Sequence, residues 1–203
     1  MDWHLILLSF ALIFPVELPD KTFVAALVLS TRYKPLPVWI GVGLAFGVQC
    51  VVAVSAGKAV SFLPEWIVHA LSTLMFLIGA FILFRAAPHA DADAEEQEEE
   101  FSVKSSETQT GWHALVASFV LLFAAEWGDL SQILTLNLVA KYGSPVSIFI
   151  GAWAALLLVS GLAVIGGRVL LRYMRLSLLH YIAGGVCLIF AGFGVYQVIT
   201  SAS

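Results

Sequence analysis

The chain has 203 residues, of which 60% are hydrophobic and only 12% are charged, and its mean hydropathy is +0.94. A soluble domain of this size is nearer half apolar and a quarter charged, so the composition excludes an ordinary soluble fold and predicts one compact polytopic membrane domain. The formal charge of −4 belongs to one segment: eight of the fourteen acids lie between residues 91 and 107, and outside it nine bases face six acids.

Six apolar runs are long enough to cross a hydrocarbon core about 30 Å thick, which takes about 20 helical residues. They lie at residues 4–31, 36–57, 66–86, 112–140, 145–167 and 178–200. Residues 88–110 form an acidic linker with too little apolar surface to fold, and we expect it to be disordered. The linker separates residues 1–87 from residues 111–203, and each part holds three predicted spans.

The two parts repeat each other. At an offset of 109 residues, Glu17 aligns with Glu126 and Asp20 aligns with Asp129. Because three spans are an odd number, the two parts must have opposite orientations in the membrane. The sequence therefore predicts an all-α integral membrane protein with six transmembrane helices, arranged as two inverted three-helix repeats. This architecture is typical of alternating-access transporters, which bind substrate near the midplane between the repeats.

Lysine and arginine in short loops indicate the orientation. The loops after spans one, three and five hold seven of these residues, and the opposite face has only Lys58 and Lys141. The seven are Arg32, Lys34, Arg85, Lys104, Arg168, Arg172 and Arg175. We therefore expect a multi-pass protein of the cell membrane with the acidic linker in the cytoplasm and both termini outside.

Two acid-x-x-acid pairs lie within the apolar sequence, Glu17 with Asp20 and Glu126 with Asp129. On a continuous helix, residues three apart share a face and lie about 4.5 Å apart along the axis. The repeat would then bring both pairs together at mid-membrane, where each charge costs roughly 2.5–3.5 kcal/mol. Protons, Lys21 or a bound cation must neutralise them.

Lys21 offers an inert alternative, because it follows Glu17 by four residues and could pair with it. The second copy has Leu130 in that place, so Glu126 and Asp129 lack such a partner. Four acids against one base leave about three negative charges, which a divalent cation nearly balances. In the absence of the cation, one or two protons would neutralise the same carboxylates. Competition between a cation and protons for one set of carboxylates is the minimum requirement for cation/proton antiport.

The remaining candidate ligands are also hard oxygens, the hydroxyls of Thr22 and Ser131 and the amide of Gln132. No Cys or His lies close to either motif in the sequence, which favours calcium, manganese or magnesium over zinc and copper. Cys50 and Cys187 lie within apolar spans and are expected to be small buried hydrophobes.

The backbone near the motifs is also unusual. Pro15 and Pro19 lack N–H groups and are expected to kink the first span. Gly128 takes the position of Pro19 in the second copy, where we expect it to let another helix approach closely.

The pattern Glu-x-Gly-Asp-[Lys/Arg]-[Thr/Ser], present twice in halves joined by an acidic linker, resembles that of the Gdt family of membrane cation transporters. The family includes Golgi calcium/manganese transporters of eukaryotes and manganese exporters of bacteria. The resemblance covers essentially the whole chain and implies export of manganese or calcium in exchange for protons, with the motif acids as ligands. The matching positions are Glu17, Asp20 and Thr22 in the first motif and Glu126, Asp129 and Ser131 in the second. Pro19 departs from the motif glycine and Leu130 from the motif basic residue.

These observations predict a secondary active transporter rather than an enzyme. It would export manganese first and calcium second against protons, around a mid-membrane site of four carboxylates. Lys21 would set the charge balance. The cation would be a transported substrate, and no permanently bound cofactor is expected. The lipid bilayer is the expected partner, a homo-oligomer is possible, and nucleic acid is not an expected partner. The alternatives are export of a cationic organic solute, such as a basic amino acid, and, more remotely, an intramembrane hydrolase, which would need a nucleophile or a metal with an open position.

Overall fold

A computed structural model describes residues 1–18, 20–93, 96–97, 99, 111–173 and 176–201. Within these ranges the chain is helical and contains no strand, which confirms the predicted all-α class. The main helices of the described part are α1 (Trp3–Glu17), α2 (Lys21–Arg32), α3 (Pro35–Val60), α4 (Glu65–Ala86), α5 (Trp112–Ala125), α6 (Leu130–Tyr142), α7 (Pro145–Tyr173) and α8 (Leu176–Ser201).

Four of the predicted spans are continuous helices. Helices α3, α4, α7 and α8 are each long and apolar enough to cross a membrane, and they contain the spans predicted at 36–57, 66–86, 145–167 and 178–200. Helices α5 and α6 meet the same criterion only when taken together as a bent pair, whereas α1 and α2 are apolar but shorter. The described residues thus give four candidate spans, or five with the bent pair, and the total of six stays a prediction.

The kink expected in the run 4–31 is a complete break in the helix, and the run 112–140, expected as one span, is also broken. Pro19, one of the two prolines expected to cause the kink, lies outside the described residues. Helix α1 ends at Glu17 and α2 begins at Lys21, while α5 ends at Ala125 and α6 begins at Leu130 after a bend of 72°. Pro15 lies in the last turn of α1, where its missing N–H removes one helical hydrogen bond just before the helix ends. Both breaks coincide with the acidic motifs.

Gly128 explains the second break. Its φ is +82°, in the left-handed region that interrupts a right-handed helix and that glycine adopts without a steric cost. Gly128 is exposed, and an added Cβ would meet no heavy atom within 4 Å. The expected close helix approach at Gly128 is therefore wrong, because this glycine permits a turn.

Helices from the two parts of the chain interleave. Helix α1 packs on α7, α5 packs on α3, α3 also contacts α7, and α4 packs along α8. An added Cβ at Gly41 would overlap the carbonyl oxygen of Leu115 in α5, and one at Gly151 would overlap that of Ile6 in α1. The backbones of α3 and α5, and those of α7 and α1, are therefore in direct contact.

Two indoles connect α3 to α7 at the centre of the bundle. The Trp39 Nε1–H donates to the Leu157 carbonyl at 3.0 Å, and the Trp153 Nε1–H donates to the Gly43 carbonyl at 2.9 Å. Each bond uses a carbonyl on the facing helix, so the two long helices are held in register while α1 and α5 flank them.

The start of the acidic linker differs from the expectation of disorder. Residues 90–93 are helical, Ala87 and Ala90 are buried, and the Asp91 Oδ1 accepts a hydrogen bond from the Leu176 N–H at 2.8 Å. That backbone N–H lies in the first turn of α8, where such donors lack a helical partner. Most of the predicted linker, residues 94, 95, 98 and 100–110, lies outside the described residues.

Candidate cation site

The four motif acids lie at the two helix breaks rather than on a helical face. Glu17 is the last residue of α1 and Asp20 precedes α2, while Glu126 follows α5 and Asp129 precedes α6. The expected i, i+3 arrangement is wrong because neither pair of acids lies within one continuous helix. The side chains are therefore placed by two turns, which face each other where α1 contacts α6.

These turns bring the four carboxylates together. One oxygen from each of Glu17, Asp20, Glu126 and Asp129 lies within 4.8 Å of the corresponding oxygen of the other three. Glu17 is 0% exposed and Glu126 is 1% exposed, whereas Asp20 and Asp129 are half-buried. The site therefore combines two enclosed glutamates with two aspartates nearer to accessible space.

Asp129 is held by the start of α6. Its Oδ1 accepts from the Gln132 N–H at 3.0 Å, and its Oδ2 accepts from the Ser131 N–H at 3.3 Å and from the Ser131 hydroxyl at 2.7 Å. Aspartate at the N-cap satisfies backbone donors that have no helical partner, and its charge is favoured by the helix dipole. Ser131 thus orients Asp129 and keeps oxygen lone pairs for a second contact.

Gln132 was expected to be a cation ligand, but its side chain contacts the turn that precedes α6. Its Oε1 accepts a hydrogen bond from the Gly128 N–H at 3.1 Å, while its Nε2 is buried with no hydrogen-bond partner among the described residues. The amide oxygen that a cation would use already closes the turn in front of α6. Gln132 is therefore primarily a residue that holds the break in shape.

At the first helix break, between α1 and α2, buried side-chain oxygens lack hydrogen bonds of the kind that hold Asp129. Neither carboxylate oxygen of Glu17 nor the Thr22 hydroxyl has a hydrogen-bond partner within the described part of the chain, although both residues are 0% exposed. The Asp20 N–H donates to the Glu17 carbonyl at 3.1 Å, so the backbone turn itself is satisfied. The side chain of Lys21 lies outside the described atoms, and its charge-balancing role stays a prediction.

Burial and proximity make the ionised cluster unstable on its own. Two unit charges 4.8 Å apart repel by about 3.5 kcal/mol at an effective dielectric constant of about 20, and four carboxylates form several such pairs. A buried unbonded carboxylate such as Glu17 also loses its hydration. These groups can be neutral when protonated or can share a cation, and a divalent ion removes most of the repulsion at once.

Residues of α3 also lie near the site. Gln49 is 3% exposed, and its Nε2 donates to the Phe123 carbonyl at 3.3 Å in the last turn of α5, before Glu126. Cys50, the next residue of α3, is buried with a free thiol. Its burial in the apolar core confirms the expectation that Cys50 is a small buried hydrophobe.

The geometry agrees with comparisons to known proteins. A sequence model of a family described as divalent cation/proton antiporter GDT1 matches residues 5–91 and 114–202. The chain is 28% identical to "Protein PAM71, chloroplastic" of Arabidopsis thaliana, over 95% of this chain and 56% of that protein. It is 34% identical to "GDT1-like protein sll0615" of Synechocystis sp., over 75% of this chain and 77% of that protein.

A third relative, "Protein PAM71-homolog, chloroplastic" of Arabidopsis thaliana, is 31% identical over 93% of this chain and 59% of its own length. The chain thus spans somewhat more than half the length of the two plant relatives. No solved structure matches it. Since the family is one of transporters, the expectation that this is not an enzyme is confirmed. The family match covers both parts of the chain and both acidic motifs, and the chain belongs to the divalent cation/proton antiporter family GDT1.

Proposed function

We propose that this protein exports a hard divalent cation, manganese first and calcium second, in exchange for protons. The observation that carries the proposal is the convergence of four carboxylates from two helix breaks, with the Glu17 oxygens enclosed and free of hydrogen bonds among the described residues. Glu17, Asp20, Glu126 and Asp129 would share the ion and take up protons when it leaves. Membership of a cation/proton antiporter family supports the same exchange.

The size of the cluster favours an inorganic ion over an organic cation. Oxygen ligands lie 2.3–2.6 Å from calcium, so ligands on opposite sides of one ion are about 4.6–5.2 Å apart. The carboxylate oxygens of the site lie within 4.8 Å of one another, which fits one ion and leaves no room for a basic amino acid between them. The Thr22 hydroxyl, buried and without a described partner, would add a fifth oxygen.

The donor set favours manganese, calcium and magnesium because carboxylate and hydroxyl oxygens are hard ligands. Ser131 would contribute from its remaining lone pairs while it holds Asp129. Gln132 would contribute less directly, through the turn that its amide closes.

We infer that the fold is a pair of inverted repeats with six crossings, in which the broken helices α1–α2 and α5–α6 each make one crossing. The packing supports this, because the contact of α1 with α7 has its counterpart in the contact of α5 with α3. The close-approach glycines Gly41 and Gly151 occupy corresponding positions in these contacts. Alternating access would then occur around the breaks, as in other transporters with discontinuous helices.

The distribution of lysine and arginine supports a cytoplasmic linker and external termini in a multi-pass protein of the cell membrane. In that orientation, export moves the cation from the linker face to the opposite face. Proton entry in the reverse direction would then drive the cycle.

The direct test is manganese and calcium flux into proteoliposomes under an imposed pH gradient. We expect flux that requires the gradient and that is lost in Glu17→Gln and in Asp129→Asn. Glu96→Gln, which changes an exposed linker acid in the same way, is the matched control and should keep normal flux. Absence of both ion fluxes in the unmodified protein, or unchanged flux in the two site variants, would refute the proposal.

A further inference from the structure

A cavity of about 210 Å³ adjoins the four-carboxylate cluster on the side of the linker. Its inner end is lined by Asp20, by Val16 of α1 and by Leu130 at the start of α6, so it touches both helix breaks. Because Asp20 is half-buried whereas Glu17 is enclosed, the cavity meets the cluster at its more accessible acid.

The outer end of the cavity is polar. It is lined by Asp93 and Gln97 of the linker and by His180 of α8. Asp93 is exposed, whereas Gln97 and His180 are half-buried, so the cavity connects an exposed carboxylate to Asp20. Between the two ends the wall is apolar and includes Ala86 of α4.

One hydrogen bond holds the linker on α8, and a second hydrogen bond orients His180 within α8. The Asp91 carboxylate accepts from the Leu176 N–H at 2.8 Å, and the neighbouring Ala90 is 5% exposed. The His180 Nδ1 lies 2.9 Å from the Leu176 carbonyl oxygen. Since a carbonyl only accepts, Nδ1 is the nitrogen that donates, and Nε2 of a neutral ring keeps its lone pair.

We propose that this cavity is the route along which the divalent cation moves between the linker face and the four-carboxylate cluster. Asp93 and the Nε2 of His180 are the polar groups that receive the ion at the mouth. Asp91 positions Asp93 by holding the linker on α8. The inference rests on the proposed function and adds to it a path and the conformation, open toward the linker, that the structure represents.

The charges and the walls fit a passage rather than a second binding site. A carboxylate at a mouth with low-dielectric walls raises the local concentration of cations. Among the described residues, the only group of three or more acid, His or Cys ligands close enough to share an ion is the four-acid cluster. An ion at Asp93 and His180 is therefore held weakly and passes on to Asp20.

Cysteine accessibility tests the route. Ala86→Cys and Leu130→Cys would be treated in proteoliposomes with a charged, membrane-impermeant thiosulfonate, and Ala154→Cys on an exposed face of α7 is the control. The native Cys50 and Cys187 are buried and can stay in place. We expect both cavity positions to react at least about tenfold faster than the control, because a thiolate forms in water and not in lipid.

The reaction should occur from the linker face only, should slow in the presence of Mn²⁺, and should block flux. Asp93→Asn and His180→Gln should lower flux severalfold at subsaturating Mn²⁺, while equilibrium Mn²⁺ binding followed by electron paramagnetic resonance stays unchanged. Glu96→Gln again serves as the charge-matched control in the linker.

Labelling of Ala86→Cys no faster than the control, labelling equally from both faces, or labelling that leaves flux intact would overturn the route. If the unmodified protein has normal flux but the cysteines introduced at positions 86 and 130 do not react, only the proposed route is refuted. An unmodified protein that moves no divalent cation would instead remove the proposed function, whatever the labelling pattern.

Discussion

Gly57 is the point at which a single methyl group should disturb the site from a distance. It is buried in α3 against α6, and an added Cβ would lie 2.5 Å from the Leu136 carbonyl oxygen and 2.8 Å from the Val139 Cβ. Packed interiors do not tolerate such approaches, so Gly57→Ala must move α3 and α6 apart by roughly 0.5 Å or more. Because α6 begins directly after Asp129, the movement reaches the carboxylate cluster.

The expected cost follows from two opposing effects. Overpacking in a closely packed interior costs about 1–3 kcal/mol, whereas alanine is favoured over glycine in a helix by about 1 kcal/mol. The net destabilisation is therefore up to about 2 kcal/mol, and that upper value corresponds to a fall in Tm of about 4–8 °C for a chain of this size. Gly185→Ala in α8 is the control, because an added Cβ there meets nothing within 4 Å and only the helix preference changes.

Thermal unfolding in detergent, with and without Mn²⁺, measures both effects. Gly57→Ala should unfold at a lower temperature than Gly185→Ala and should gain less stability from Mn²⁺, since ligand stabilisation depends on affinity. If Gly57→Ala is as stable as Gly185→Ala and is stabilised equally by Mn²⁺, then α6 is not positioned by this contact and the reasoning fails.

Substitutions at three positions and one change of pH test the site more directly. Asp129→Asn keeps an N-cap acceptor and should retain stability while losing flux, whereas Asp129→Ala should also lose about 1 kcal/mol; equal flux in the unmodified protein and in Asp129→Asn would contradict a charge requirement. Gly128→Ala should cost about 1–2 kcal/mol because its φ is +82°, and an unchanged Tm would show that the turn tolerates a side chain. Thr22→Val should weaken Mn²⁺ binding while Thr22→Ser preserves it, and equal affinities in the two variants would exclude the hydroxyl as a ligand. Lowering the pH from about 8 to about 6 should raise the Kd for Mn²⁺, because protons compete for the same carboxylates, and a constant Kd at fixed ionic strength would argue against exchange.

The sequence was sufficient for the class of protein and for the identity of the motif acids. An apolar composition with six long hydrophobic runs indicates an all-α membrane protein, and a repeated Glu-x-x-Asp pair in such runs marks a candidate site. Four of the runs are continuous helices as predicted. These features depend on residue type and spacing, which the sequence states directly.

The geometry of the breaks could not be obtained in the same way. Hydrophobic runs look the same whether a helix continues or stops, and the chain around Glu126 stays apolar on both sides of the 72° bend. The positive φ of Gly128 depends on the direction of α6 relative to α5. The hydrogen bond from the Gly128 N–H to the Gln132 amide oxygen forms only in that turn. The available signals were Pro15 and Pro19 for the first break and, for the second, a motif glycine followed by an aspartate that can cap a helix.

Contacts across the chain were also beyond local patterns. Gln49 reaches the last turn of α5 only because α3 packs against the second broken pair, and His180 shares a cavity with Asp20 only because α8 begins beside the linker. Both residues occupy unremarkable apolar segments in the sequence. Their proximity follows from helix pairings between residues far apart in the chain.

The interleaving of the helices has a consequence for how the chain can be divided. Because α1 lies against α7 and α5 lies against α3, neither half carries the surface that its own first helix needs. Two polypeptides made by cutting the chain between residues 99 and 111 would each expose the contacts at Gly41 or Gly151 until they met. Co-translated fragments would therefore restore the bundle, and a single half would form one only by pairing with another copy of itself.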